Sequence, residues 1–329
     1  MNQKDFYQII ATLGPAVQNQ INELIHAGAT GFRLNCSHLS WQELSRWLMK
    51  LENAFQNRGD AMPVWLDLQG TKTRLGKLTE PMELRQGELA RFHFSYCQED
   101  SAIPLPHQWF FNNIETGDQL LLNDGRIHLQ VVQIGEQQFQ AEILREGEIS
   151  SFKGFMVKGK NPKFDEISDR DRSFIEQTKQ LKFVGYAISY LRNENELKVF
   201  RDVVGSNPLT AKIEQEDAIK NLERIADLAD SCWLCRGDLG TTANIYELYN
   251  YEKEFAKKMK HTNKLYLIAG QVLENMVNYN YPSRSEIAHL GYLIDNNFSG
   301  LVLSDETAIG KYPIQAVEFC REYFEYLVE

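Results

Sequence analysis

The chain has 329 residues, 43% of them apolar and 24% charged; this is the composition of a soluble globular protein, at a length that fits one large α/β barrel or two ordinary domains. Thirty-five basic side chains against 45 acidic ones give a net charge of −10, the wrong sign for a protein that neutralises a phosphate backbone, so nucleic acid is not an expected partner. No stretch approaches about 18 apolar residues and the opening residues carry no export pattern, so no membrane is expected as a partner and the expected compartment is the cytoplasm.

In chain order, short apolar runs alternate with longer helical patterns. The strand candidates are Tyr7–Leu13, Gly31–Asn35, Pro63–Leu68, Phe183–Ile188, Leu209–Ile213, Ser231–Cys235, Leu265–Ile268 and Gly300–Leu303. The helical patterns between and after them are Gln18–His26, Trp41–Gln56, Ser168–Gln180, Asn193–Asp202, Ile245–Lys260, Ser283–Asp295 and Pro313–Leu327. Such βα units build a parallel sheet, and eight of them predict a TIM barrel of the α/β class. More than a hundred residues separate the third and fourth strands, too many for one crossover. Residues 72–160 change to period-two patterns, Glu88–Phe94, Gln119–Leu122, Ile127–Val132 and Phe139–Leu144, broken by Asn123-Asp124-Gly125 and Gly135-Glu136. These are hairpin signals for a small antiparallel β domain inserted after the third strand, with residues 1–71 and 161–329 forming the barrel. An insertion there is a candidate lid over the C-terminal mouth, where barrel active sites sit.

The polar residues collect at that mouth. Lys212 and Glu214 lie two apart on the fifth strand run and leave the same face. Asp238 follows the sixth strand, on a turn where Gly237 lets backbone amides approach a ligand. One divalent cation and one ammonium can therefore converge on a single anionic group, as phosphoryl transfer or enolate stabilisation requires. Arg33, Asn35, Ser37 and His38 close the second strand; Asp67 and Arg74 follow the third, Ser189 and Arg192 the fourth, Gln271 the seventh and Ser304 the eighth. All fall at strand C-termini or just beyond, which builds one pocket. Arg236 is expected to brace the barrel through carboxylates, and His93, His107 and His128 show no ligand spacing. The five cysteines do not form a disulfide framework. Cys232-x-x-Cys235 lies in a strand pattern with no helix N-terminus expected beside it, so no redox or zinc role is assigned.

The runs Ile10-Ala-Thr-Leu-Gly-Pro15, Phe32-Arg-Leu-Asn-Cys-Ser-His38, Leu66-Asp-Leu-Gln-Gly70, Asn123-Asp-Gly125, Ala211-Lys-Ile-Glu214, Cys235-Arg-Gly-Asp-Leu-Gly240 and Leu303-Ser-Asp-Glu-Thr-Ala308 resemble, in order, the motifs of the pyruvate kinase family. The resemblance implies phosphoenolpyruvate and ADP/ATP as substrates. Lys212 would neutralise the phosphoryl group in flight, with Arg33 and Arg74 also on that phosphate. Glu214 and Asp238 would hold Mg²⁺ or Mn²⁺, the Gly237 and Asp238 amides a substrate carboxylate, and Gly270 and Ser304 the remaining substrate side. Asn35 and His38 would lie on the nucleotide side. Asn35, Ser37, Asp67 and Lys72 match the family's monovalent-cation region; members with glutamate at the Lys72 position typically require K⁺, so a lysine there implies that K⁺ is not required. The match stops where the family would continue into a C-terminal regulatory domain, so the chain resembles a truncated or minimal member. Any homo-oligomer is expected to use the barrel helices, and no activation by a sugar phosphate is expected.

Two departures bear on the substrate. The family's Ala-Thr-Gln-Met is Ala269-Gly270-Gln271-Val272 here, which removes a hydroxyl and is expected to open the space of a threonine side chain to a larger acid. The family's Ser-Gly-Glu is Ser304-Asp305-Glu306, an added carboxylate that repels a polyphosphate unless a cation offsets it, and a lysine a few positions on is replaced by Ile309. The leading expectation is a metal-dependent phosphotransferase of pyruvate-kinase type, acting on phosphoenolpyruvate or a related acid. The alternatives are a metal-dependent pyruvate-enolate lyase, aldolase or decarboxylase without nucleotide, and a non-catalytic binding subunit.

Overall fold

The computed structural model describes residues 7–37, 39–70, 72–123, 125–160, 167–242 and 245–328. The chain divides into two compact units, residues 1–70 with 165–329, and residues 71–164. In the first unit, β1 (Gln8–Thr12), β2 (Gly31–Asn35), β3 (Val64–Leu68), β4 (Val184–Ile188), β5 (Leu209–Ile213), β6 (Ser231–Cys235), β7 (Leu265–Ala269) and β8 (Gly300–Leu303) are parallel neighbours in sequence order, and β1 pairs with β8 to close the barrel. β3 to β6 are buried at every position. They read as unbroken apolar runs because helices cover one face and the barrel interior fills the other.

That interior is a packed core. Ile10, Trp65, Ala187, Trp233, Leu267 and Val302 fill it, and the Trp65 and Trp233 rings lie with centroids 5.7 Å apart. Side-chain alternation then fixes what sits above the tryptophans. Asp67 is two residues beyond Trp65 on β3, and Arg33 on β2 is in register with Trp65. Both turn inward, while Phe32 turns outward to pack on Phe55 of the helix Trp41–Arg58. That helix and Arg284–Asp295 each begin with a serine and glutamate capping box, Ser40 with Glu43 and Ser283 with Glu286.

The second unit contains a six-stranded sheet in the order Phe155–Val157, Gln119–Leu122, Ile127–Gly135, Gln138–Arg145, Leu89–His93 and Ile103–Pro104, and a two-stranded sheet of Met82–Leu84 with Gly147–Ile149. It is antiparallel except where Leu89–His93 meets Ile103–Pro104. Phe92, Phe110, Phe139 and Phe155 are fully or almost fully buried in its core. Asn123 and Gly125 have left-handed backbone conformations, φ 49° and 71°, as the turn between Gln119–Leu122 and Ile127–Gly135 requires; Asp124 lies outside the described residues.

Candidate active site

Four charged side chains meet at the C-terminal end of the barrel interior. The Lys212 ammonium lies 2.8 Å from Glu214 Oε1 and 3.0 Å from Asp67 Oδ1, and donates to Ser189 Oγ at 2.9 Å. Arg33 donates through Nε to Asp67 Oδ2 at 2.7 Å, with its terminal nitrogen 2.6 Å from the same oxygen, and reaches Thr12 Oγ1 at 3.0 Å. Two cations and two carboxylates thus form a cluster of zero net charge. Lys212 is 7% exposed, Asp67 2% and Glu214 not at all, so the Lys–Glu pair is a barrel-interior feature.

Burial opposes the charges of Lys212, Arg33 and Asp67, and their partners outweigh it. The Lys212 ammonium titrates well above an ordinary lysine because Asp67 and Glu214 overcome its desolvation. Asp67 is held below the usual carboxylate range, its burial overcome by Lys212 and Arg33. The lysine is therefore a fixed positive charge at any working pH. Asp67 engages both cations, which ties this member of the expected monovalent-cation region into the charge cluster itself.

Local backbone geometry places these groups. Gly70 has φ +61°, and a Cβ there would lie 2.1 Å from the Ser189 carbonyl oxygen, so only glycine lets the chain leaving β3 pass the end of β4. Asp171, near the start of a helix more than a hundred residues away, accepts from the Gly70 amide at 3.0 Å and the Gln69 amide at 3.3 Å. Burial pushes its carboxyl up to about 6 against those two bonds. Glu306 works in the same way on the other side of the mouth: Oε1 accepts from the Val272 and Leu273 amides at 3.0 and 2.9 Å, and Oε2 from the Ser304 amide at 2.7 Å.

Gly237 and Asp238 are not on a turn. They belong to a seven-residue helix, Arg236–Thr242, that starts directly after Cys235. The expectation that no helix N-terminus adjoins the C-x-x-C pair is therefore corrected. The thiols are inert for a different reason: burial, then Glu214, push Cys235 well above an ordinary thiol, and burial pushes Cys232 up to about 12. Arg236 braces the barrel mainly through carbonyls, donating to Gly270 O at 2.9 Å and Gln271 O at 2.6 Å. Its carboxylate partner Glu252 is 4.0 Å away and holds His289 at 2.7 Å. Arg192 pairs with Glu196 at 2.5 Å, on the helix that follows β4.

The expected vacancy at Gly270 is also corrected. Gly270 has φ +86°, and a Cβ added there would lie 3.1 Å from the Gly237 amide nitrogen. The loop has a glycine conformation of its own, and a side chain entering it would press on the Gly237 backbone. Gly270→Thr is therefore expected to lower the melting temperature by several degrees, about 1–3 kcal/mol of backbone strain. Calorimetry checks this; an unchanged melting temperature would show that the loop accepts a side chain freely.

Asn35 and Ser304 line a cavity of about 550 Å³ that also reaches Thr12, Arg33, Arg46 and Asp305. Ser37 donates its amide to Asn35 Oδ1 at 3.2 Å. His38 lies outside the described residues. Arg74 and Lys72 belong to the second unit; there the Arg74 guanidinium donates to Phe152 O at 2.8 Å and its amide to His107 Nε2 at 3.2 Å. Among the expected residues the barrel thus gathers Arg33, Asp67, Lys212 and Glu214 directly. Sequence reasoning missed Thr12 as a partner of Arg33. It also missed Tyr190, which donates its amide to Glu214 Oε2 and its hydroxyl to Asp238 Oδ1, each at 2.7 Å.

The barrel-domain model of pyruvate kinase matches residues 5–317. The chain belongs to the pyruvate kinase family. It is 31% identical to a pyruvate kinase of Agrobacterium vitis over 324 residues, covering 97% of this chain and 67% of that protein. It is 28% identical to the pyruvate kinase of Thermotoga maritima over 319 residues, covering 94% and 68%. The solved pyruvate kinase of Pyrobaculum aerophilum superposes with a TM-score of 0.85 at 26% identity, covering 97% of this chain and 73% of that one. The pyruvate kinase of Cryptosporidium parvum shares the fold with a TM-score of 0.89 at 24% identity, covering 98% and 71%. The chain is a pyruvate kinase-like enzyme with a TIM-type barrel and an inserted domain, and the non-catalytic alternative is set aside.

Proposed function

We propose that the chain transfers a phosphoryl group between phosphoenolpyruvate and ADP, giving pyruvate and ATP, or performs the same transfer on a related acid, with a divalent cation and without a K⁺ requirement. The observation that carries this reading is the Lys212 ammonium buried between Asp67 and Glu214, with Arg33 across the same carboxylate. Phosphoryl transfer needs preorganised positive charge more than covalent chemistry, and this lysine is charged and fixed before any substrate arrives.

The donor set fits Mg²⁺ or Mn²⁺. Magnesium is typically held by one or two carboxylates together with water and substrate oxygens. Glu214 and Asp238 supply two hard carboxylates linked through Tyr190, and no cluster of three or more His, Cys, Asp or Glu suited to a metal exists among the described residues. Bound there, the cation would supply charge neutralisation at substrate oxygens. The Gly237 and Asp238 amides, at the start of their helix, would take the substrate carboxylate, with Gly270 and Ser304 on the same side. The cavity of about 550 Å³ has room for part of a nucleotide, and its cations Arg33, Arg46 and Lys50 offset Glu43 and Asp305. Arg46 and Lys50 thus answer the charge that Asp305 adds and Ile309 fails to oppose.

The test is a coupled assay with Mg²⁺, ADP and phosphoenolpyruvate, beside phosphorus NMR with related acids. Glu214→Gln and Asp238→Asn are expected to raise the half-saturating Mg²⁺ on the order of tenfold or more, since each removes a charged contact to the ion. Phosphoenolpyruvate or oxaloacetate consumption that ignores ADP would favour the enolate lyase instead. No transfer to or from any acid would overturn the proposal.

A further inference from the structure

We infer that Tyr190 is a positioning residue for the divalent-cation site, the clamp that sets how Glu214 and Asp238 face each other. This rests on the cation assignment proposed above and goes beyond it to a residue that acts through the two carboxylates it holds. Glu214 lies just past β5 and Asp238 in the helix after β6, so the two carboxylates are carried by different elements. Tyr190, just past β4, holds both: its amide donates to Glu214 Oε2 and its phenol to Asp238 Oδ1, each at 2.7 Å. The clamp is itself fixed, because Gln215 Nε2 donates to the Tyr190 carbonyl at 2.8 Å.

Two further observations separate this from ordinary packing. Tyr190 has φ 62°, a left-handed conformation uncommon for a residue with a bulky side chain. That conformation sits where amide and side chain reach carboxylates from two different elements. Tyr190 is 8% exposed, so little of it is open to water, and its phenol donates to Asp238 Oδ1. Outer-shell groups that orient ligating carboxylates tune affinity for the ion through the geometry of the ligands they hold.

The experiment is a Mn²⁺ titration followed by EPR, without substrate, on the unmutated protein, Tyr190→Phe, Asp238→Asn and the double variant. Tyr190→Phe keeps the ring and the backbone amide bond to Glu214. It is expected to weaken Mn²⁺ binding about tenfold, with a melting temperature close to that of the unmutated protein. In the Asp238→Asn background the same change is expected to lose most of its effect, because the clamp acts through that carboxylate. Under turnover, half-saturating Mn²⁺ should rise by more than kcat falls. An unchanged Mn²⁺ affinity in Tyr190→Phe, or a full tenfold loss persisting in the Asp238→Asn background, would overturn the clamp while leaving the cation assignment standing. No Mn²⁺ uptake by the unmutated protein would overturn the cation assignment and the clamp together.

Discussion

Lys212→Met is expected to lower the rate of phosphoryl transfer by about a hundred- to a thousandfold and to destabilise the fold at the same time. The rate loss follows from removing the fixed charge that would meet the transferring phosphoryl group, an effect of roughly 3–4 kcal/mol for one preorganised donor. The stability loss follows from what the lysine leaves behind. Asp67 keeps Arg33, but Glu214, which is fully buried, loses the ammonium 2.8 Å away. Breaking one partner out of a buried pair costs about 3–5 kcal/mol, or on the order of ten degrees of melting temperature for a unit of this size. Lys212→Arg separates the two effects. It keeps a cation for the carboxylates, so melting should recover in large part, but a planar fork cannot occupy the site of a compact ammonium and the rate should stay low. Steady-state kinetics and thermal melts on both variants decide it. A Lys212→Met rate within tenfold of the unmutated protein would remove the lysine from the chemistry, and an unchanged melting temperature would contradict its buried pairing.

The barrel was legible because burial on both faces turns each strand into a short apolar run between turn signals. β2, β5, β6 and β8 have the boundaries read from sequence. Periodicity failed on the short helices Glu216–Lys220, Leu222–Leu228, Arg236–Thr242 and Asp305–Ala308, each of seven residues or fewer. Two turns do not display a 3.6-residue period, and a glycine in the second helical position of Arg236–Thr242 reads as a turn. Within the site, the convergence of Arg33, Asp67, Lys212 and Glu214 was readable because parallel register carries inward-facing strand ends to one place. Tyr190 was not, because an aromatic residue after a buried strand reads as core, and its function depends on a left-handed backbone that sequence does not display. Asp171 reads as an acid favouring a helix N-terminus, yet its partners are amides a hundred residues earlier. Gly270 shows the opposite error. Read as a deletion from the family pattern it means empty space, whereas the loop conformation around it is built for glycine.

Glu306→Ala is expected to cost about 3–6 kcal/mol, a large fraction of an ordinary domain's stability. Glu306 is completely buried and accepts three backbone amides, from Val272, Leu273 and Ser304, at 3.0, 2.9 and 2.7 Å. Those amides lie just beyond β7 and β8, beside Gly270 and Asp305, so one carboxylate ties together two loops that the strand ladder no longer holds. Truncation strands two buried donors, each costing about 1–3 kcal/mol, and a third, the Ser304 amide, that is only partly buried. Glu306→Gln gives a graded comparison. Its carbonyl oxygen can still accept from Val272 and Leu273, but its amide group then faces the Ser304 N–H, donor against donor. A smaller loss of about 2 kcal/mol is expected. Denaturant melts should therefore rank the unmutated protein above Gln and Gln above Ala, with the affinity for the acid substrate falling in the same order as the Gly270 and Ser304 loops loosen. Gln and Ala variants of equal stability would show that the charge of Glu306 matters and its count of accepted bonds does not; two variants as stable as the unmutated protein would show that the loops hold themselves.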